Sequence, residues 1–267
     1  MNILHITTRR WILALSLSLL FAAGCSNISA VEEGALYGVQ NVVDGDTIRL
    51  DNGMDVRYIG IDTPETMKRG GSGWMFQPEE YGVAAKEFNR SMVSGRKVRL
   101  EFDREKKDKY GRLLAYVYVD GKMANLELVR KGLATVYTFP PNTMHLDRLL
   151  EAQSEARAEK KGLWGAMKSV PPGDASNHIG EFCIVKGMIT GVYVSSSRIY
   201  LNFGQDRRKY LTAVINARNM PLFLKEDIDP ASYYSGRFVE AAGKIEDRGG
   251  PRMIIDNPSQ ITLLAEK

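Results

Sequence analysis

The chain has 267 residues, 44% of them hydrophobic and 25% charged, with a formal net charge of +4. That composition excludes a disordered or low-complexity protein and leaves room for one or two domains. The charge is too mild to indicate nucleic acid by itself, and it shrinks further if Arg9 and Arg10 leave with a leader, so any affinity for phosphate has to come from local placement.

Thr8-Arg9-Arg10 forms a basic start, and residues 11–23 are an apolar run too short to span a membrane. Small residues, Ala22-Ala23-Gly24, then lead to Cys25. The pattern over residues 1–25 reads as an export signal and resembles a lipoprotein signal, in which Cys25 is lipidated and anchors the protein in the cell envelope. The other reading is an ordinary cleavage site, for instance after Ala30, which gives a secreted or periplasmic protein. The arginine pair also resembles a twin-arginine signal. The second cysteine, Cys183, sits in the apolar run Phe182-Cys183-Ile184-Val185 and reads as a buried, inert thiol. There is no zinc-type spacing and no histidine cluster.

Residues 36–51 read as strand, turn, strand. Residues 55–61 read as another strand, with Arg57, Ile59 and Ile61 on one face by the two-residue period. Residues 67–78, with Gly70, Gly71 and Gly73, read as a loop. A helix over residues 79–93 would bury Val83, Ala84, Phe88 and Met92. Residues 97–103 and 113–119 alternate as strands around a charged hairpin tip closed by Tyr110-Gly111. Short and longer helices follow over residues 124–131 and 146–161, stopped by Gly132 and Gly162.

The stretch SVPPGDASN, residues 169–177, reads as a linker. Beyond it, residues 178–267 give three strands, a helix with Pro221 in its first turn, and two more strands, the order of an OB-fold. Tyr193, Tyr200, Phe203 and Tyr210 alternate there with Arg198, Arg207, Arg208 and Lys209. Such a set suits a single-strand binding surface, or equally a core with a solvated turn. The fold class is therefore mainly β with helices (α+β), with a strand-rich barrel and about three helices over residues 36–168 and a second OB-like barrel after it.

Five side chains carry the chemistry: Asp46, Arg57, Asp62, Glu65 and Arg112. Carboxylates select a hard metal and can orient or deprotonate water. Arginine forks match two phosphate oxygens and stabilise the charge that builds up as a phosphodiester is cleaved. Singly, each motif has a plain reading: Asp44-Gly45 as a hairpin turn, Thr63-Pro64-Glu65 as a helix start, Arg112 as a surface strand residue. A structural barrel has no need of all of them together.

VVDGDTIRL, VRYIGIDTPE, EEYGVAAKEF and DKYGRLLAYVYVDGKMANLELVRKGLA, spread in order over residues 42–164, resemble the staphylococcal nuclease family. The resemblance implies a five-stranded OB-type barrel with three helices and calcium-dependent cleavage of DNA and RNA with little sequence specificity. It implies that Asp46 and Asp62 ligate Ca2+ through their side chains and Thr63 through its carbonyl. Glu65 would hold the attacking water, and Arg57 and Arg112 would bind the scissile phosphate. Lys109 and Tyr110 match contacts to a terminal phosphate, and Tyr137, with Phe139, matches base-stacking positions with a spacing off by one residue. The 67–78 segment is longer than the family's. The implied partners are DNA and RNA as substrates and a membrane through Cys25, with no protein partner. The competing class is a catalytically silent nuclease-like binding module, which would be expected to lack the acids and arginines kept here.

Overall fold

The computed structural model of the protein describes residues 32–71 and 73–264; the expected signal and its Cys25 lie outside the described residues. The described residues form one compact unit. Among the described residues, no helix is long and apolar enough to cross a membrane.

The first barrel is built from β1 (Leu36–Asp44), β2 (Thr47–Leu50), β3 (Asp55–Tyr58), β4 (Lys97–Glu101) and β5 (Leu113–Val119). Antiparallel pairs join β1 to β2, β2 to β3, β5 to β4 and β4 to β1, while β3 lies parallel to β5. The ring therefore closes in the order 1-2-3-5-4, the five-stranded barrel that the family resemblance implies. That alternation fills the interior: Val98 and Leu100 from β4 and Ala115 and Val117 from β5 are fully buried. Three helices, α1 (Gly82–Val93), α2 (Ala124–Arg130) and α3 (Leu146–Ala158), pack on it.

Three local expectations change. Strand β3 ends at Tyr58, and Gly60 turns the chain at a φ of +80°, so Arg57 does not share a face with Ile59 and Ile61. Val56 and Tyr58 point into the barrel and Arg57 points out of it. A side chain at position 60 would collide with Leu149, so that turn requires glycine. The segment expected as a loop after Thr66 is a hairpin, Met67–Gly70 against Gly73–Phe76, with Trp74 and Phe76 largely in solvent. Helix α1 starts at Gly82 and buries Ala85, Asn89 and Val93, leaving Val83 exposed. The cause is polar: Tyr58 Oη donates to Asn89 Oδ1 at 2.9 Å, and Asn89 Nδ2 donates to the Asp44 carbonyl at 3.4 Å. A buried amide with two partners fixes the helix face more firmly than an exposed valine can.

The second barrel comprises β6 (Phe182–Met188), β7 (Gly191–Val194), β8 (Arg198–Asn202), β9 (Thr212–Asn216), β10 (Phe238–Asp247) and β11 (Pro251–Ile254). Strands β6 and β7 are two legs of one bent strand. Counting them as the first, the ring is again 1-2-3-5-4, with β9 and β11 as its parallel pair. The two barrels thus share one topology, including the position of the parallel contact.

The expected linker is part of this second barrel. Lys168–Val170 pairs in parallel with β6, and Pro172–His178 forms a 3-10 helix whose Ala175 is fully buried. Proline, glycine and serine suit a tight helical turn as well as a free connection, so composition alone did not separate the two. The barrels also touch directly. Trp164 and Ala156 pack on Ala242, Arg157 pairs with Glu240, and Lys244 Nζ meets Glu79 at 2.5 Å.

Candidate active site

Turns between paired strands bring the predicted residues together. The β1–β2 turn supplies Asp44 and Asp46. The short pairing of Ile61–Asp62 with Thr135–Val136 places Asp62 beside the chain that leads to Tyr137. Buried Asn125 pins this corner by donating to the Ile59 carbonyl at 2.8 Å and accepting from Val117 N–H at 2.9 Å.

Asp46 is almost fully buried and fully bonded. One carboxylate oxygen accepts from Thr63 N–H at 2.9 Å and Thr63 Oγ1–H at 3.0 Å; the other accepts from Thr47 Oγ1–H at 3.1 Å. Arg57 makes an ion pair with Asp46 through one terminal nitrogen and with Asp62, at 2.5 Å, through the other. The same nitrogen that meets Asp62 donates to the Ile61 carbonyl at 3.2 Å. The guanidinium therefore stands between the two proposed cation ligands and compensates both.

Glu65 carries the clearest electrostatic mark. Although Glu65 is exposed at the rim of the corner, desolvation of its carboxyl, then a hydrogen bond and charge from Asp44, then charge from Asp62 push it up to about 7, and Arg57 opposes the rise only in part. Asp44 is held toward this corner by Thr66, whose hydroxyl donates to it at 3.1 Å. Negative charge in the corner exceeds what one arginine neutralises. The donors are all oxygen: Asp46, Asp62 and the Thr63 carbonyl, with Glu65 and Asp44 beside them. Such a set fits a hard divalent cation, whose charge would relieve the crowding.

Arg112 reaches the same region from the hairpin between β4 and β5. Asp108 organises that hairpin. Its carboxylate accepts from Tyr110 N–H at 2.9 Å, Arg112 N–H at 3.0 Å and Arg112 Nε at 2.7 Å. Arg57, Arg112, Lys109, Tyr110 and Tyr137 line one cavity of about 760 Å³. Tyr110 is largely exposed, with the Lys109 ammonium 4.9 Å from its ring centre. Tyr137 and Phe139 form a tilted pair at 6.3 Å, so both expected stacking rings are at the cavity in spite of the shifted spacing.

Two contributors were not expected from the sequence. Asp44 sits in the Asp-Gly-Asp run and was read as a turn residue; the repeated acid was the available signal. Arg218 comes from the second barrel, lines the same cavity, and lies 3.9 Å over the Phe139 ring. Nothing local in its sequence marks it. A separate group, His178, Glu181 and Cys183, has its ligand atoms within 4.8 Å of one another. Glu181 is bonded there by Lys168 and His178, and burial, then Glu181, push the Cys183 thiol up to about 11, consistent with an inert protonated thiol.

A family model described as staphylococcal nuclease homologue matches residues 55–166. The chain is 45% identical over 134 residues to a thermonuclease of Staphylococcus intermedius, covering 49% of this chain and 77% of that protein. It is 40% identical over 146 residues to a thermonuclease of Staphylococcus hyicus, covering 54% of this chain and 81% of the relative. It is also 45% identical over 131 residues to the SPbeta prophage-derived endonuclease YokF of Bacillus subtilis, covering 47% of this chain but only 43% of that protein.

Proposed function

Because the chain belongs to the staphylococcal nuclease family, we propose that it is an exported, calcium-dependent nuclease that hydrolyses phosphodiester bonds of DNA and RNA with little sequence specificity. The observation that carries this reading is the single corner in which Arg57 bonds Asp46 and Asp62 beside Glu65, facing a cavity that also holds Arg112.

Each group has a role consistent with its setting. Asp46, Asp62 and the Thr63 carbonyl would hold Ca2+, which supplies Lewis-acid polarisation of the phosphate. Loosely arranged oxygen donors suit calcium better than the strict octahedron of magnesium. Glu65 holds and deprotonates the attacking water. Arg57 and Arg112 bind the scissile phosphate and stabilise its growing charge. Lys109 and Tyr110 take a neighbouring phosphate, while Tyr137 and Phe139 offer ring faces, which accept any base.

The test is cleavage of single-stranded DNA and of RNA by the full chain. Activity is expected with calcium, with loss on chelation and poor rescue by magnesium. Equal rates in magnesium would overturn the calcium assignment, and no cleavage under any divalent cation would overturn the nuclease reading.

Export and anchoring through Cys25 are part of the proposal and rest on the leader pattern alone. Cys25→Ser is expected to shift the protein from the detergent phase to the aqueous phase on partitioning. Unchanged partitioning would point to an ordinary signal.

A further inference from the structure

The catalytic cavity does not end at the first barrel. Tyr137 and Arg218 line both it and a second cavity of about 490 Å³. One wall of that second cavity is Asp62, Thr135 and Tyr137; the opposite wall belongs to the second barrel. The Arg57–Asp62 ion pair marks the boundary, with Arg57 facing one cavity and Asp62 the other.

The wall offered by the second barrel has a defined place in the fold. In an OB barrel, the second and third strands and the loop between the fourth and fifth form the usual ligand face. Here these are β8, β9 and residues 248–250. Ile199 and Leu201 of β8 point into the barrel, so Arg198 and Tyr200 point out onto that face. Arg198 and Arg252 line the shared cavity, and Arg252 continues into a third hollow of about 240 Å³ with Tyr193 and Tyr200. The two tyrosine rings lie 5.8 Å apart, and the Arg252 guanidinium lies 5.8 Å from the Tyr200 ring.

Among the described residues, Arg218, Arg198 and Arg252 make no ion pair with a carboxylate, although Asp256 acts on Arg218 through space. Arg218 rests on an aromatic ring, Arg198 donates to the Asn216 amide oxygen at 3.3 Å, and Arg252 lies over Tyr200. Two acids share the wall: Glu246 is paired with Arg248 at 3.1 Å, and the buried Asp256 accepts from the Asn219 amide at 3.1 Å. Three guanidiniums spaced between stacking rings match the alternating phosphates and bases of an unpaired strand, whereas a duplex hides its bases from such rings.

We propose that the second barrel is a single-strand track that extends the catalytic cleft, holding several nucleotides of a long substrate through Arg218, Arg198, Arg252, Tyr200 and Tyr193. The proposal rests on the nuclease reading for its direction, since the strand enters or leaves through the catalytic cavity. It gives the second barrel a role in choosing long, unpaired strands over short or duplex ones.

The test uses the full chain with the double variant Arg198→Gln/Arg252→Gln and, as a charge-preserving control, Arg198→Lys/Arg252→Lys. Binding is followed by fluorescence anisotropy in chelator, so that nothing is cut, with labelled oligo-dT of about 20 and about 4 nucleotides. The native chain is expected to bind the longer strand at least ~10-fold tighter, and the Gln pair to lose most of that advantage while its melting temperature holds. Loss of two phosphate contacts reduces the salt dependence of long-strand affinity by about 1.4 in log–log slope, and the Lys pair restores it. A native chain indifferent to length, or a Gln pair with native affinity and slope, overturns the track. Length-dependent binding lost in the Gln pair, in a protein that cuts nothing with calcium, keeps the track and removes the nuclease reading. Calcium-dependent cleavage with unaltered binding in the Gln pair does the reverse.

Discussion

Arg57→Met is expected to cost both rate and stability, and the two losses have separable causes. Turnover should fall by about 10³–10⁵-fold, the range for an arginine that stabilises charge in phosphoryl transfer. The stability loss follows from its partners. Asp46 is nearly fully buried, and removing the guanidinium leaves its carboxylate without a counter-charge. Breaking a buried pair from one side costs about 3–5 kcal/mol. The Asp62 side adds little, because that carboxylate is 42% exposed and water screens it. Arg57→Lys separates the two effects: the retained charge should recover much of the melting temperature, while the missing fork leaves turnover low. Arg112→Lys is the contrast. Arg112 is held by Asp108 in a partly exposed pair and lies 5.7 Å from the Tyr110 ring, so its loss should lower turnover with little change in melting temperature. The measurements are turnover on an oligonucleotide with calcium and thermal melting of each variant. Native turnover in Arg57→Lys would remove this arginine from the reacting phosphate.

The first barrel was legible because its strands alternate cleanly and its helices end at glycines. The grouping of the candidate site was legible because turns keep its residues close in sequence: Asp46, Arg57, Asp62 and Glu65 all fall within twenty positions of one another. What was not legible depends on contacts between distant segments. The two-residue period put Arg57 with Ile59 and Ile61, but Gly60, forced to glycine by Leu149 of α3, reverses the chain first. The face of α1 was legible only in part: Phe88 and Met92 pack on the core, but Val83 and Ala84 are exposed because Asn89, bonded to Tyr58 and Asp44, turns the helix, and polar partners leave no mark on hydrophobic periodicity. The segment 169–177 has a linker's composition, yet Leu211 N–H donates to the Pro172 carbonyl at 3.0 Å and Lys168–Val170 finds a strand to pair with. Arg218 is the clearest case. Its place in the candidate cavity exists only because the second barrel packs against the first.

Glu65→Gln is the variant in which function and stability should move in opposite directions. Glu65 lies among Asp44 and Asp62, and its carboxyl is raised to about 7 from an ordinary 4.5. Between those two values the folded protein keeps a proton that the unfolded chain has released. Stability therefore falls as pH rises through that window, and the loss is complete above about 7. Glutamine holds nearly the same shape without the charge. In buffer free of divalent cations, the variant should melt above the native chain at about pH 8 and with it near pH 4, below both values. Calcium should then raise the melting temperature of the native chain more than that of the variant, because only the native corner has the full excess of charge to neutralise. Turnover should fall by roughly 10²–10⁴-fold, the range for loss of a general base. Affinity for a nonhydrolysed nucleotide should survive better than in the arginine variants, since Glu65 is assigned to water and not to phosphate. A positioning role in the fold alone would lower the melting temperature and leave turnover near native. That pattern, with the fold intact, would remove the proposed chemistry and return the first barrel to the class of silent binding modules.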